Sequence, residues 1–172
     1  MLKWIRSALF TASLLAASAT AADQMSHGLA VTGVVENPLA LSVADLRQLP
    51  AANGGKLDVT RHNGDQAETL ASYRGVRLRD ILDKAVLDAP AHNDMKKLAI
   101  IATATDGYVA VFSWGELYNS PAGEGVVVYY EKNGKALDEG DGEIALISAR
   151  DIRTGPRHVK WLKAIEVRKL AD

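Results

Sequence analysis

The chain contains no cysteine. That excludes disulfides, a thiol nucleophile and a thiolate metal ligand. Charge of neither sign dominates, since 20 Lys and Arg face 21 Asp and Glu. No basic excess exists to neutralise phosphates along a strand, so a nucleic-acid partner is excluded. No segment reaches the roughly 20 consecutive apolar residues that a membrane-spanning helix needs, and the domain is not expected to be membrane-embedded. The G-x-S-x-G elbow, the P-loop and the G-x-G-x-x-G fingerprint are all missing. No carboxylate pair stands out as an acid/base couple, so the sequence assigns no catalytic residue.

What is present begins with Met1-Leu2-Lys3-Trp4-Ile5-Arg6, which carries two positive charges and no negative one. An Ala- and Leu-rich run follows from Ser7 to about Ala17, and then Ala19-Thr20-Ala21 supplies a small-x-small site. A charged n-region, a short apolar h-region and an A-x-A site predict a secretory signal peptide over residues 1–22. The basic residues are single, not an Arg-Arg pair, so the twin-arginine address for folded proteins is absent. The expectation is a periplasmic protein with one domain over residues 23–172.

Along that domain, short β-type runs alternate with turns. Leu29 to Val35 is β-rich and ends at Glu36-Asn37-Pro38. Ser42-Val43-Ala44-Asp45 is a capping box that opens a short helix. Asn53-Gly54-Gly55 reads as a turn, Leu57 to Arg61 as a strand, and Ala67 to Tyr73 as extended chain. Leu78, Ile81, Leu82 and Ala85 form the i, i+3, i+4, i+7 stripe of an amphipathic helix. Lys97 to Thr105 is a continuous apolar strand, and Tyr108 to Phe112 is its partner across Asp106-Gly107. Ser113-Trp114-Gly115-Glu116 repeats the capping-box pattern. Val126 to Glu131 is a strand, Asn133-Gly134 a hairpin turn, and Glu143–Ala149 and Val159–Arg168 close the chain as strands. Many strands with a few irregularly placed helices predict an α+β domain built on mixed sheet, not a doubly wound one. Leu78, Ile81, Leu82, Ile100, Ala102, Val128, Ile147 and Ile165 are the expected core.

Four stretches in this order carry a resemblance. They are Val31-Thr32-Gly33 with Asn37-Pro38-Leu39; Tyr73-Arg74-Gly75-Val76 running into Leu78 and Ile81-Leu82; Asp106-Gly107-Tyr108 with Phe112-Ser113; and Gly142 to Ile147 followed by Arg157-His158-Val159-Lys160-Trp161. Together they resemble the molybdopterin-binding domain of the sulfite oxidase family, over about Leu29 to Arg168. The resemblance implies that family's mixed α+β fold and a cleft for a molybdenum pterin cofactor. The family's enzymes ligate molybdenum through one cysteine upstream of the motif that reads Tyr73-Arg74-Gly75-Val76 here. The matching region is about Arg61-His62-Asn63, and it offers imidazole and amide in place of soft thiolate.

The candidate ligand-contacting residues are accordingly Arg61, His62, Arg150, Arg157, His158 and Lys160, with no metal ligand among them. His62 and His158 fall in segments that line the cofactor cleft of the resembled fold, whereas His27 and His92 read as surface histidines. Arg150, Arg153 and Arg157 flank Thr154-Gly155-Pro156, and arginines beside a glycine-containing loop can hold phosphate or carboxylate in a bidentate fork. The expected function is non-catalytic. A small anionic or pterin-like ligand, or a periplasmic or membrane protein partner, would occupy the remnant cleft, with no cofactor bound. The alternative is a molybdopterin-dependent oxidoreductase, or a subunit of one. A third class is a structural or sensory partner of a membrane protein.

Overall fold

The computed structural model describes residues 26–91 and 93–171. The predicted signal peptide and His92 lie outside the described residues. Among the described residues, twelve strands and three α-helices follow in the order β1 (Leu29–Gly33), β2 (Leu39–Leu41), α1 (Val43–Leu46), β3 (Ala52–Gly54), β4 (Leu57–Thr60), β5 (Gln66–Leu70), β6 (Tyr73–Arg77), α2 (Leu78–Ala85), β7 (Leu98–Ala104), β8 (Val109–Ser113), α3 (Trp114–Tyr118), β9 (Val126–Lys132), β10 (Lys135–Ala136), β11 (Ala145–Ser148) and β12 (Leu162–Lys169). Short 3-10 turns at Met95–Lys97, Pro121–Gly125 and Gly155–Arg157 join them.

The strands form three sheets. A five-stranded sheet runs β2-β1-β12-β7-β8. Its β1–β12 pair is parallel and the others are antiparallel. A second sheet is organised on β9, which pairs with β6 and with β10 and β11, while β3 lies outside β6. The third is the hairpin β4–β5. The mixed sheets and short helices are the α+β architecture expected from the sequence.

Period-two alternation explains how these layers stack. In β9, Val126, Val128 and Tyr130 join the main core, together with Ile144 and Leu146. That core also takes Leu78, Ile81, Leu82 and Ala85 of α2 and the inner face of the five-stranded sheet, including Val31, Ile100 and Ile165. The intervening residues Val127 and Tyr129, with Ala145 and Ile147 of β11, face the other way and pack under Val59 and Leu70 of the hairpin. The second sheet is therefore buried on both faces. All eight expected core residues are fully buried.

Local signals act where the sequence places them. Ser42 and Ser113 both close reciprocal capping boxes, with Asp45 and Glu116 respectively. Asn133 and Gly134 both adopt positive φ, 53° and 75°, as a two-residue hairpin turn requires. Asn53-Gly54 departs from expectation, since both residues belong to edge strand β3, paired with Tyr73 and Arg74. The reason is packing, because a Cβ on Gly54 would fall inside the Tyr73 ring. Gly75 is required by a similar close approach, its Cβ position lying 2.1 Å from the Val128 carbonyl oxygen.

Candidate functional site

The hairpin β4–β5, the β7–β8 turn and the segment 155–161 meet around a cleft of about 440 Å³, within the size range of small-molecule sites. The hairpin contributes Val59, Arg61, His62 and Ala67. The β7–β8 turn contributes Asp106 and Tyr108, and the segment between β11 and β12 contributes Gly155, Pro156, His158, Lys160 and Trp161.

Each wall is anchored to the segment 154–161 by its own bonds. On the hairpin side, buried Thr154 accepts from the Thr60 amide at 3.0 Å and donates to the Asp58 carbonyl at 3.2 Å. Gly155 follows because its Cβ position lies 2.6 Å from the Thr60 carbonyl oxygen. On the turn side, the Tyr108 hydroxyl donates to the Pro156 carbonyl at 2.9 Å, and the Thr105 amide donates to the Trp161 carbonyl at 3.0 Å. Trp161 holds a left-handed backbone, φ 49°, which is strained for a bulky side chain. Its amide donates to the Asp141 carbonyl and its indole Nε1–H to the Glu139 carbonyl, at 2.7 and 2.8 Å. These bonds fix the indole as a wall of the cleft.

Behind the cleft lies a buried polar network. The His158 ring sits with Nε2 2.7 Å from the Tyr129 hydroxyl and Nδ1 3.7 Å from Glu68 Oε1. Burial, then the charge of Lys160, lowers the His158 pKa to about 4, so the ring is neutral near pH 7. Burial, with Asp141 and Glu68 nearby, raises the Tyr129 phenol well above its ordinary value. Tyr129 is therefore the donor, Nε2 accepts, and the ring proton resides on Nδ1. Lys160 stands between Asp141 and Glu68, 2.7 and 3.6 Å away. Lys132 pairs with the other Asp141 oxygen. Burial alone would raise Asp141, but the hydrogen bonds from Lys132 and Lys160 hold the carboxyl below the usual range.

Of the candidates read from sequence, Arg61, His62, His158 and Lys160 share the cleft. Arg150 and Arg157 are not among its lining residues. Arg157 donates to Asp151 through Nε at 2.7 Å and to Glu116 through Nη1 at 2.8 Å, and its guanidinium lies over the Phe112 ring. Arg150 donates to the Pro121 carbonyl. His27 is exposed and pairs with Glu143 at 3.0 Å. Sequence reasoning read Asp106 as part of a turn and Tyr108 as the start of a strand, and did not count Trp161 among the site residues, yet all three line the cleft. It gave no signal for Glu68, Tyr129 or Asp141, which converge from three separate segments.

The sequence profile of the oxidoreductase molybdopterin binding domain matches residues 16–171. The chain belongs to that family. No curated protein matches it. Among solved structures, it is similar to the sulfane dehydrogenase SoxCD from Paracoccus pantotrophus, with TM-score 0.58 and 20% identity. The match covers 84% of this chain and 38% of the SoxCD chain, so the domain spans well under half of that neighbour. At that identity the likeness concerns fold.

The family name implies a molybdenum pterin, and the two parts of that group fare differently here. Molybdenum does not fit, because the whole chain offers no thiolate and the described residues contain no cluster of three His, Cys, Asp or Glu side chains able to hold a metal. An organic anion does fit. Arg61, His62 and Lys160 bring N–H donors to a cleft whose other walls are Val59, Ala67, Pro156, Tyr108 and Trp161.

Proposed function

We propose that this molybdopterin-binding-fold domain is an exported, non-catalytic protein that binds a small anionic, pterin-like ligand without molybdenum. One observation carries the reading: the cleft has a basic and aromatic lining while the chain has no thiolate for the metal. Fold and chemistry separate readily, since a scaffold outlives the loss of one ligand. The charged n-region, the apolar run and the A-x-A site support the export half, and the missing Arg-Arg pair supports the metal-free half, because a chain threaded unfolded arrives without a preloaded cofactor. The alternative, a molybdopterin-dependent oxidoreductase or a subunit of one, makes the opposite prediction about metal.

The test uses protein purified from its own periplasm. Intact mass should begin at Ala22 or Asp23, native mass spectrometry should show a small organic ligand, and elemental analysis should find no stoichiometric molybdenum. Molybdenum near one atom per chain, or sulfite or sulfoxide turnover, would overturn the non-catalytic reading.

A further inference from the structure

The cleft holds two opposite charges that do not pair with each other. Among the described residues Arg61 makes no ion pair, and neither does Asp106, although both line the same 440 Å³ space. They belong to different walls. Arg61 is on the hairpin, in a turn where its amide donates to the Asp65 carbonyl and its carbonyl accepts from Gly64. Asp106 is on the β7–β8 turn, where its Oδ1 accepts from the Tyr108 amide at 2.9 Å. Lys160, the other cation of the lining, is already neutralised by Asp141 and Glu68. The free charge of the cleft is thus positive on the hairpin side and negative on the turn side. Two aromatic side chains also line the space, Tyr108 beside Asp106 on the turn and Trp161 on the segment between β11 and β12.

A ligand that is anionic all over would set like charge against Asp106, which costs affinity. A cation would do the same against Arg61. Only a ligand with a donor edge and a separate anionic group satisfies both walls, and a flat ring suits the Tyr108 and Trp161 surfaces. We infer that the cleft selects an amphoteric planar heterocycle, whose N–H-bearing edge donates to Asp106 while its anionic group meets Arg61 and His62. This rests on the ligand-binding reading above and adds polarity and a specificity-determining residue, Asp106. Carboxylates read a paired N–H edge well because two parallel charge-assisted bonds form at once.

Two probes differ at that edge alone. 6-Carboxypterin presents a 2-amino group beside a ring N–H, with a carboxylate at its far end. 6-Carboxylumazine replaces the amino group by a carbonyl, which would point an acceptor at Asp106. Calorimetric titration of the full exported chain should show 6-carboxypterin binding more tightly by about 10- to 100-fold, the range of one hydrogen bond to a charged group. Asp106→Asn should abolish that preference with unchanged thermal stability, because an amide oxygen still accepts from the Tyr108 amide. Arg61→Gln should weaken 6-carboxypterin but leave unsubstituted pterin unaffected. If wild type binds 6-carboxypterin and Asp106→Asn binds it equally well, the polarity is wrong and the ligand cleft stands. If wild type binds neither probe, the pterin-like reading falls and this inference falls with it.

Discussion

Lowering the pH should destabilise the domain through His158 before most carboxylates titrate. The ring is buried, with its side chain 6% exposed, and burial holds its folded pKa down at about 4, against an ordinary imidazole value of 6.5. The unfolded chain therefore binds a proton that the native state refuses, so stability falls as pH falls. The contribution is fully present above pH 6.5 and is lost progressively down to about pH 4. Two and a half pKa steps at 1.36 kcal/mol each give a total of about 3 kcal/mol, and about 2 kcal/mol of it is gone by pH 5. Protonation also sets an Nε2–H against the Tyr129 O–H, a donor facing a donor unless the phenol turns. Urea unfolding at pH 7, 6 and 5 measures the loss, with His158→Gln as the control that carries no titrating ring. A proton NMR titration should show one histidine still neutral at pH 5. Wild-type stability that is flat between pH 7 and 5, or a pH slope equal to that of His158→Gln, would refute the reasoning.

Other consequences follow from particular contacts. Leu82→Ala should cost about 2–5 kcal/mol in urea unfolding, because Leu82 is fully buried between α2 and the sheets. Val86 caps α2 at φ 59°, a conformation that a β-branched residue adopts only under strain, so Val86→Gly should raise stability by about 1 kcal/mol, read as a higher melting temperature. Arg157→Ala should lower stability by about 1–2 kcal/mol, because Asp151 and Glu116 lose a charge-assisted partner while Ser148 and Ser113 still donate to them. It should leave 6-carboxypterin affinity within about twofold, well under the factor of ten that 1.4 kcal/mol represents. A large loss of affinity at preserved stability would return Arg157 to the site.

How the two charges of Asp141 and Glu68 are distributed bears on the candidate site. Both approach Lys160 from behind the cleft, so the ammonium is positioned more than it is available. A lysine read from sequence as an anion-binding group is, in the fold, chiefly the end of a network that reaches Lys132 and His158. Among the described residues Arg61 has no carboxylate partner, which is why the free positive charge of the cleft belongs to it.

Signals that act over a few residues determined much of this protein. Val126 to Glu131 was legible as a strand, and the spacing of Leu78, Ile81, Leu82 and Ala85 marked the face of α2 that is buried, whereas the burial of β9 on both faces came from the fold. Ser42 and Ser113 announced their helices, and Asn133-Gly134 its hairpin, because capping and left-handed turns depend on adjacent atoms. The same range limit explains the misread Asn53-Gly54, which pairs with Arg74 and Tyr73 about 20 positions on and leaves room for the Tyr73 ring where a side chain would stand. The membership of the cleft was a tertiary decision. Arg157 and Lys160 are three residues apart in sequence, yet Asp151 and Glu116 draw one away while the other stays in the lining. Arg61 and Asp106 come from turns 45 positions apart and meet only because the hairpin and the β7–β8 turn are each tied to the segment 154–161. Which basic groups are free depends on which carboxylates the fold brings within reach, and no local pattern encodes that competition.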